Sequence, residues 1–178
     1  MKTYIALLRG INVSGQKKIK MAELRTHLVD WGFSAVQTYI QSGNIVLQDS
    51  DQAPQQIAER IRQGIASVYG FDVPVLVLAP EDLDEVLADN PFLPEQDPKR
   101  LYVTFLSSQP DAALQDQLQQ EDYAPEAFVL VKNYIYFFSP IGYGRAKMNN
   151  NFFEKKLKVN ATTRNWRTVN KLREMCQA

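Results

Sequence analysis

Twice along these 178 residues the same order of short segments recurs, and that order narrows the fold more than any other feature. In the first half, Thr3 to Leu8 is a β-rich apolar run. Met21, Leu24, Leu28 and Trp31 follow at the three-or-four spacing of an amphipathic helix. Val36 to Ile40 and Ile45 to Leu47 read as two strands joined through Ser42-Gly43-Asn44, a tight hairpin. Ile57, Ile61, Ile65 and Val68 mark a second helix, opened near Pro54 and closed at Gly70. Val73 to Leu78 is a fourth strand. The order is βαββαβ, the ferredoxin-like arrangement.

The second half repeats the order imperfectly. Leu101 to Leu106 is a strand, and Leu114 and Leu118 mark a helix after Pro110. Phe128 to Val131 and Tyr134 to Phe138 form a hairpin across Lys132-Asn133. Phe152, Phe153 and Leu157 mark a helix, and Trp166, Val169, Leu172 and Met175 a last one, with Thr162 or Thr163 as its N-cap. The fold class is therefore α+β, two ferredoxin-like subdomains from an internal duplication, the second copy ending in extra helices. The first subdomain spans 1–79, an acidic helix and proline-bearing linker 80–99, and the second subdomain, with basic C-terminal helices, 100–178. The alternative is one continuous α+β domain that only looks periodic.

Composition excludes several classes. With 45% hydrophobic and 22% charged residues the chain is neither disordered nor membrane-spanning in character. Arg9 interrupts the apolar run of MKTYIALLRG and no small-residue cleavage site follows, so a first strand is expected there and not a signal peptide. The single cysteine, Cys176, excludes an internal disulfide and a thiolate metal cluster, and the cytoplasm is the expected compartment. No cofactor signature is present. His27, the only histidine, has no ligand spacing around it, so hydrolytic triads and most zinc sites lack their usual members. The acidic run Glu81, Asp82, Asp84, Glu85 and Asp89 sits at a helix start, where it favours the helix dipole.

The net charge of zero conceals a segregation. Residues 1–20 carry five cations and no acid, residues 145–178 carry nine cations and two acids, and the stretch between holds eighteen acids and six bases. A solvated surface needs no such separation for folding, so it bears on what the surface attracts. Both basic ends contain glycine-bearing loops. Arg9-Gly10-Ile-Asn12-Val-Ser-Gly15-Gln-Lys17-Lys18 approaches a phosphate-binding loop, G-x-x-x-x-G-K-[ST]. It departs where Gln16 separates glycine from lysine and where Lys18 replaces the hydroxyl. A nucleotide-hydrolase reading fails further because a hairpin, not a parallel strand, follows the helix. What survives is a set of backbone N–H groups, lysines and an uncapped helix start at Lys20, which suit an anion. At the other end, Tyr143-Gly144-Arg145-Ala-Lys147 leads to three asparagines and then to Arg164-Asn165-Trp166-Arg167. Arginine forks suit phosphate or carboxylate. Lys155, Lys156 and Lys158 read as a solvated helix face and Trp166 as core.

The hairpin aromatics alternate, Tyr134, Tyr136 and Phe138 on one face and Ile135 and Phe137 on the other, and both faces are expected to be buried. The RNA-recognition pattern [KR]-G-[FY]-[GA]-F-V-x-[FY] is absent, so base stacking on the sheet is disfavoured.

Several motifs together resemble a known family: Leu-Leu-Arg9-Gly10-Ile-Asn12-Val, Lys20-Met-Ala-Glu-Leu-Arg25, Thr38-Tyr-Ile-Gln-Ser42-Gly-Asn44, Asn90-Pro-Phe92, Gly142-Tyr-Gly144-Arg145 and Ala161-Thr-Thr-Arg164-Asn165-Trp166. They are similar to the bacterial family known as domain of unknown function 1697, over nearly the whole chain. The resemblance implies two ferredoxin-like subdomains and no established activity, so no catalytic residue carries over. Ala146 stands where Ser is expected in many relatives.

The expectation is a phosphate-bearing ligand, a nucleotide-like small molecule or a nucleic-acid backbone, in a basic cleft between the halves. Its ligands would be Arg9, Gly10, Asn12, Gly15, Lys17, Lys18, Ser42 and Asn44 from the first half. The second half would supply Gly144, Arg145, Lys147, Arg164 and Asn165. The alternatives are an enzyme on a small anionic metabolite, with Glu23 or Tyr39 as proton-transfer group, or an interaction module without a ligand. No metal and no membrane partner is expected.

Overall fold

The computed structural model describes residues 1–178, which divide into two units: Met1–Glu85 with Lys171–Ala178, and Val86–Asn170. The first contains β1 (Lys2–Leu8), α1 (Met21–Asp30), β2 (Ser34–Tyr39), β3 (Asn44–Asp49), α2 (Pro54–Tyr69) and β4 (Val75–Leu78). The four strands form one antiparallel sheet in the order β2-β3-β1-β4. Alternation along β1 sends Tyr4, Ala6 and Leu8 to the face that also carries Ile45, Leu47 and Val77. Leu24 and Leu28 of α1 and Ile57, Ile61 and Ile65 of α2 complete that core, as their spacing predicts. Pro54 opens α2, Gln56 returns its side chain to the Ala53 N–H, and the helix stops at Gly70. His27, left without a ligand role, stacks on Trp31 and meets Tyr69 edge-on.

The division falls within α3 (Pro80–Ala88), and the second unit then contains β5 (Leu101–Leu106), α4 (Ala112–Gln119), β6 (Ala127–Val131), β7 (Tyr134–Phe138), α5 (Asn150–Leu157) and β8 (Ala161–Asn165). Its antiparallel sheet runs β6-β7-β5-β8, the same pattern as the first. Phe137, Ile135 and Leu106 pack with Phe153, Leu157 and Leu118. Tyr134 and Tyr136, on the opposite face of β7, are buried as well, so both faces are covered as expected.

The C-terminal region needs correction. Residues 161–165 are not the approach to a helix but a strand, β8, paired with β5 from Tyr102↔Asn165 to Leu106↔Ala161. Thr163 is bonded to Thr104 across the ladder, and neither Thr162 nor Thr163 caps a helix. The cap of α6 (Trp166–Met175) is Asn165, whose Oδ1 accepts the Thr168 N–H at 2.8 Å. The second unit thus completes its own βαββαβ order before α6. Trp166 is buried, as its place at the head of the apolar stripe predicts.

Two close contacts set limits on the first unit. A Cβ at Gly64 would fall 2.6 Å from Cε2 and Cζ2 of Trp31, so α2 lies against that ring only because Gly64 has no side chain. Gly64→Ala should lower the denaturation midpoint, with a loss of about 1–3 kcal/mol typical of overpacking; an unchanged midpoint would show that Trp31 swings aside freely. At the other end of the chain, Arg173 forks onto Asp84 with bonds of 2.5 and 2.8 Å. The bond to Arg173 holds the Asp84 carboxyl below its ordinary value of 3.8. A depressed folded value contributes stability above the unfolded pKa and loses it as pH falls through the folded one. Amides of 171–178 should therefore lose protection, relative to α2, as pH drops below about 4. In Arg173→Ala that pH dependence should vanish.

Candidate functional site: two basic loops

The loop between β1 and α1 is held from within. Asn12, at φ +54°, donates through Nδ2 to the carbonyls of Ile19 and Gln41 at 2.9 and 2.8 Å, and its Oδ1 accepts the Ile19 N–H. One side chain thereby ties the far end of this loop to the β2–β3 turn. Val13 to Gln16 closes a tight turn with Ser14 and Gly15 both left-handed. Arg9 donates its backbone N–H to Pro74, and Lys17 Nζ reaches the Asp72 carbonyl at 2.6 Å. Gly10 and Lys18 are exposed, and Lys18 makes no polar contact within the protein. In the neighbouring turn, Asn44 is fully buried and donates to the Tyr39 carbonyl and to Ser42 Oγ. A Cβ at Gly43, which has φ +83°, would sit 2.5 Å from that of Leu8. Asn12, Ser42 and Asn44 therefore spend polar atoms on the loop itself, while Lys18 presents its charge to solvent. No side chain caps α1 at Lys20.

The loop between β7 and α5 is built differently, from beneath. Ser139, completely buried, donates its hydroxyl to the Gly142 carbonyl at 3.1 Å. The Tyr143 N–H donates to Tyr102 Oη, and Tyr143 Oη accepts the Asn150 N–H. Glu126, only 6% exposed, takes the N–H of Lys147 on one carboxylate oxygen and that of Met148 on the other, at 2.8 and 3.0 Å. Asn149 caps α5 through the Phe152 N–H. The structural duties of the turn thus fall on Ser139, Tyr143, Glu126 and Asn149. Arg145 and Lys147 are exposed and their side chains make no hydrogen bond or ion pair. Arg100 joins them: a Cβ at Gly142 would lie 3.2 Å from its Nη1, and its guanidinium too is unpaired.

Arg164 stands apart from these. It lies in β8, 9% exposed, with Nη1 on the Thr163 carbonyl at 3.0 Å. Burial pulls its guanidinium down to about 10, an effect countered by Tyr143, so it stays charged at neutral pH. Asn165 is exposed but uses its oxygen to cap α6. Two participants were invisible in the sequence pattern. Arg100 falls in a proline-bearing stretch that reads as linker, and Glu126 is one acid in an acidic middle. Only its nearness in space to 147 and 148 marks it.

The family described as Protein of unknown function (DUF1697) matches residues 1–136. This chain belongs to that family. The matched residues contain the first loop and stop short of the second. Among solved structures, the conserved bacterial protein SP0830 from Streptococcus pneumoniae is similar over 98% of both chains, with 28% identity and a TM-score of 0.77. That likeness extends through β7, the second loop and β8. No functionally curated protein matches the sequence. No helix of this DUF1697 protein is long and apolar enough to cross a membrane.

Glu126 supplies a test of the second loop's construction. In Glu126→Gln one oxygen becomes an amide N–H₂ that cannot accept, leaving one backbone N–H unmatched. A loss of about 1–3 kcal/mol is expected, with faster amide exchange at Lys147 and Met148. Unchanged protection at both amides would mean that Glu126 does not hold the turn.

Proposed function

We propose that the turn between β7 and α5 binds a phosphate-bearing ligand through Arg100, Arg145 and Lys147. The observation that carries this reading is three cations without a partner around one turn whose backbone is pinned by buried side chains. Three other arginines are neutralised, Arg60 by Asp49, Arg62 by Asp72 and Glu59, and Arg173 by Asp84, while Arg25 meets the neutral Thr38 hydroxyl. Arg forks on a preorganised turn bind phosphate oxygens without the entropy loss of ordering a loop. Gly144 supports the same reading. Space around it is open, so the fold does not exclude a side chain there, while a ligand approaching the Tyr143–Arg145 backbone benefits from the gap.

The fold favours a common origin for the two units. Each alternates βαββαβ, and strand orders β4-β1-β3-β2 and β8-β5-β7-β6 correspond position by position, which supports two ferredoxin-like copies produced by duplication.

Calorimetric titration with pyrophosphate, a nucleoside triphosphate and a short oligonucleotide tests the assignment. Arg145→Ala should weaken the binding partner by about 1.5–3 kcal/mol, the range for a hydrogen bond to a charged group. Stability should shift by no more than about 0.5 kcal/mol, as at other surface positions. Titration at two salt concentrations sorts the ligands. A nucleic-acid backbone loses roughly 0.7–0.9 in log K per contacted phosphate for each unit of log salt, and a small phosphate compound much less. Absence of binding to all three probes, or equal affinity in Arg145→Ala, would remove this function from the turn.

A further inference from the structure

The first unit carries a candidate surface of its own. Val13 and Ile40 are aliphatic residues at loop tips, 58% and 50% exposed. Each lies one residue from a partner in the Asn12–Gln41 hydrogen bond, so the two tips are fastened side by side. Ile40 holds φ +49°, a left-handed conformation that a β-branched residue enters only against its steric preference. The strain is kept at a position where the side chain contributes nothing to the core. Around the tips the charge is one-sided: from Arg9 to Arg25 the chain has five cations and one acid, Glu23. Lys18 makes no hydrogen bond or ion pair within the protein, Lys17 meets only a neutral carbonyl, and Lys20, largely exposed, lies 3.2 Å from Glu23 on the same surface.

We propose that the Val13 and Ile40 tips, with Lys17, Lys18 and Lys20 around them, dock on the surface of an anionic phospholipid bilayer. Aliphatic tips reach the boundary between headgroups and acyl chains, and ammonium groups on flexible stems remain at phosphate and carboxylate level. Valine and isoleucine offer no π-face for base stacking, which argues against single-stranded nucleic acid as the occupant. Stapling by Asn12 keeps the tips from folding back onto the unit, so docking requires no ordering of the loop. The occupied surface is peripheral, in accord with the lack of a helix able to cross a membrane.

Cosedimentation with phosphatidylcholine vesicles, with and without phosphatidylserine, tests the proposal. The protein should pellet with phosphatidylserine vesicles, weakly or not at all with phosphatidylcholine alone, and less as salt rises. Lys18→Gln should reduce the partition coefficient about fivefold, the effect of one basic residue near an anionic surface. Val13→Ser and Ile40→Asn together should reduce it severalfold more. Ile40→Asn carries its own control, because asparagine tolerates the left-handed conformation and the variant should melt no lower than the parent. Failure to pellet with phosphatidylserine vesicles would overturn the proposal, as would unchanged binding by the Val13→Ser, Ile40→Asn variant. So would binding of an oligonucleotide that the same two substitutions abolish.

Discussion

Both basic loops leave from strands that are hydrogen-bonded on two sides. β1 lies between β3 and β4, and β7 lies between β5 and β6. An interior strand cannot slide by one residue without turning its buried side chains outward and breaking two ladders at once. The points at which Arg9 and Ser139 leave the sheets are thereby fixed to within one peptide. Ile11 and Ile19 in the first loop and Met148 in the second seat each loop on its core, and the exposed charged and glycine residues between them take their geometry from those points and from where the loop begins. Everything the loops can do follows from that anchoring.

The two loops solve the same problem with different chemistry. In the first, one asparagine amide bonded three ways works beside the buried Ile11 and Ile19 and joins two turns distant in sequence. In the second, a buried carboxylate collects two consecutive N–H groups, and two tyrosines pass hydrogen bonds between β5, the turn and α5. In each, neutral or acidic side chains close most of the backbone, and Lys18 in the first and Arg145 and Lys147 in the second stay outside that network. A loop intended only to connect would not need this division, since its lysines and arginines could serve as caps and bridges.

The helices were legible because apolar side chains at Ile57, Ile61 and Ile65, or at Met21, Leu24 and Leu28, have no other economical placement. Strand β8 was not. Ala-Thr-Thr-Arg-Asn has no apolar alternation, and its threonines look like caps. It is a strand because β5 offers it a hydrogen-bonding edge, a tertiary fact absent from local pattern. The same blindness affected Arg164, whose burial follows from belonging to β8. The sequence marks Asn12, Ser42 and Asn44 as ligand contacts, and in the structure much of their polar capacity is spent inside the loops. Arg145, Lys147 and Lys18 were visible as cations, whereas Arg100 required the three-dimensional approach to Gly142 to be noticed.

The first unit is not continuous in sequence: residues 171–178 return to it after the whole of the second has been traversed. During synthesis, then, β1 to β4 can pair early, yet the segment bearing Arg173 and Leu172 arrives only after the second unit. The unit made first is finished last. Asp84 spends the elongation of some ninety residues without the guanidinium it will meet, and a chain cut after Asn170 holds every residue of the second unit but not of the first. Such a discontinuity makes the docking of residues 171–178 a condition for closing the first unit, so local opening of that segment exposes a unit whose own strands were paired long before.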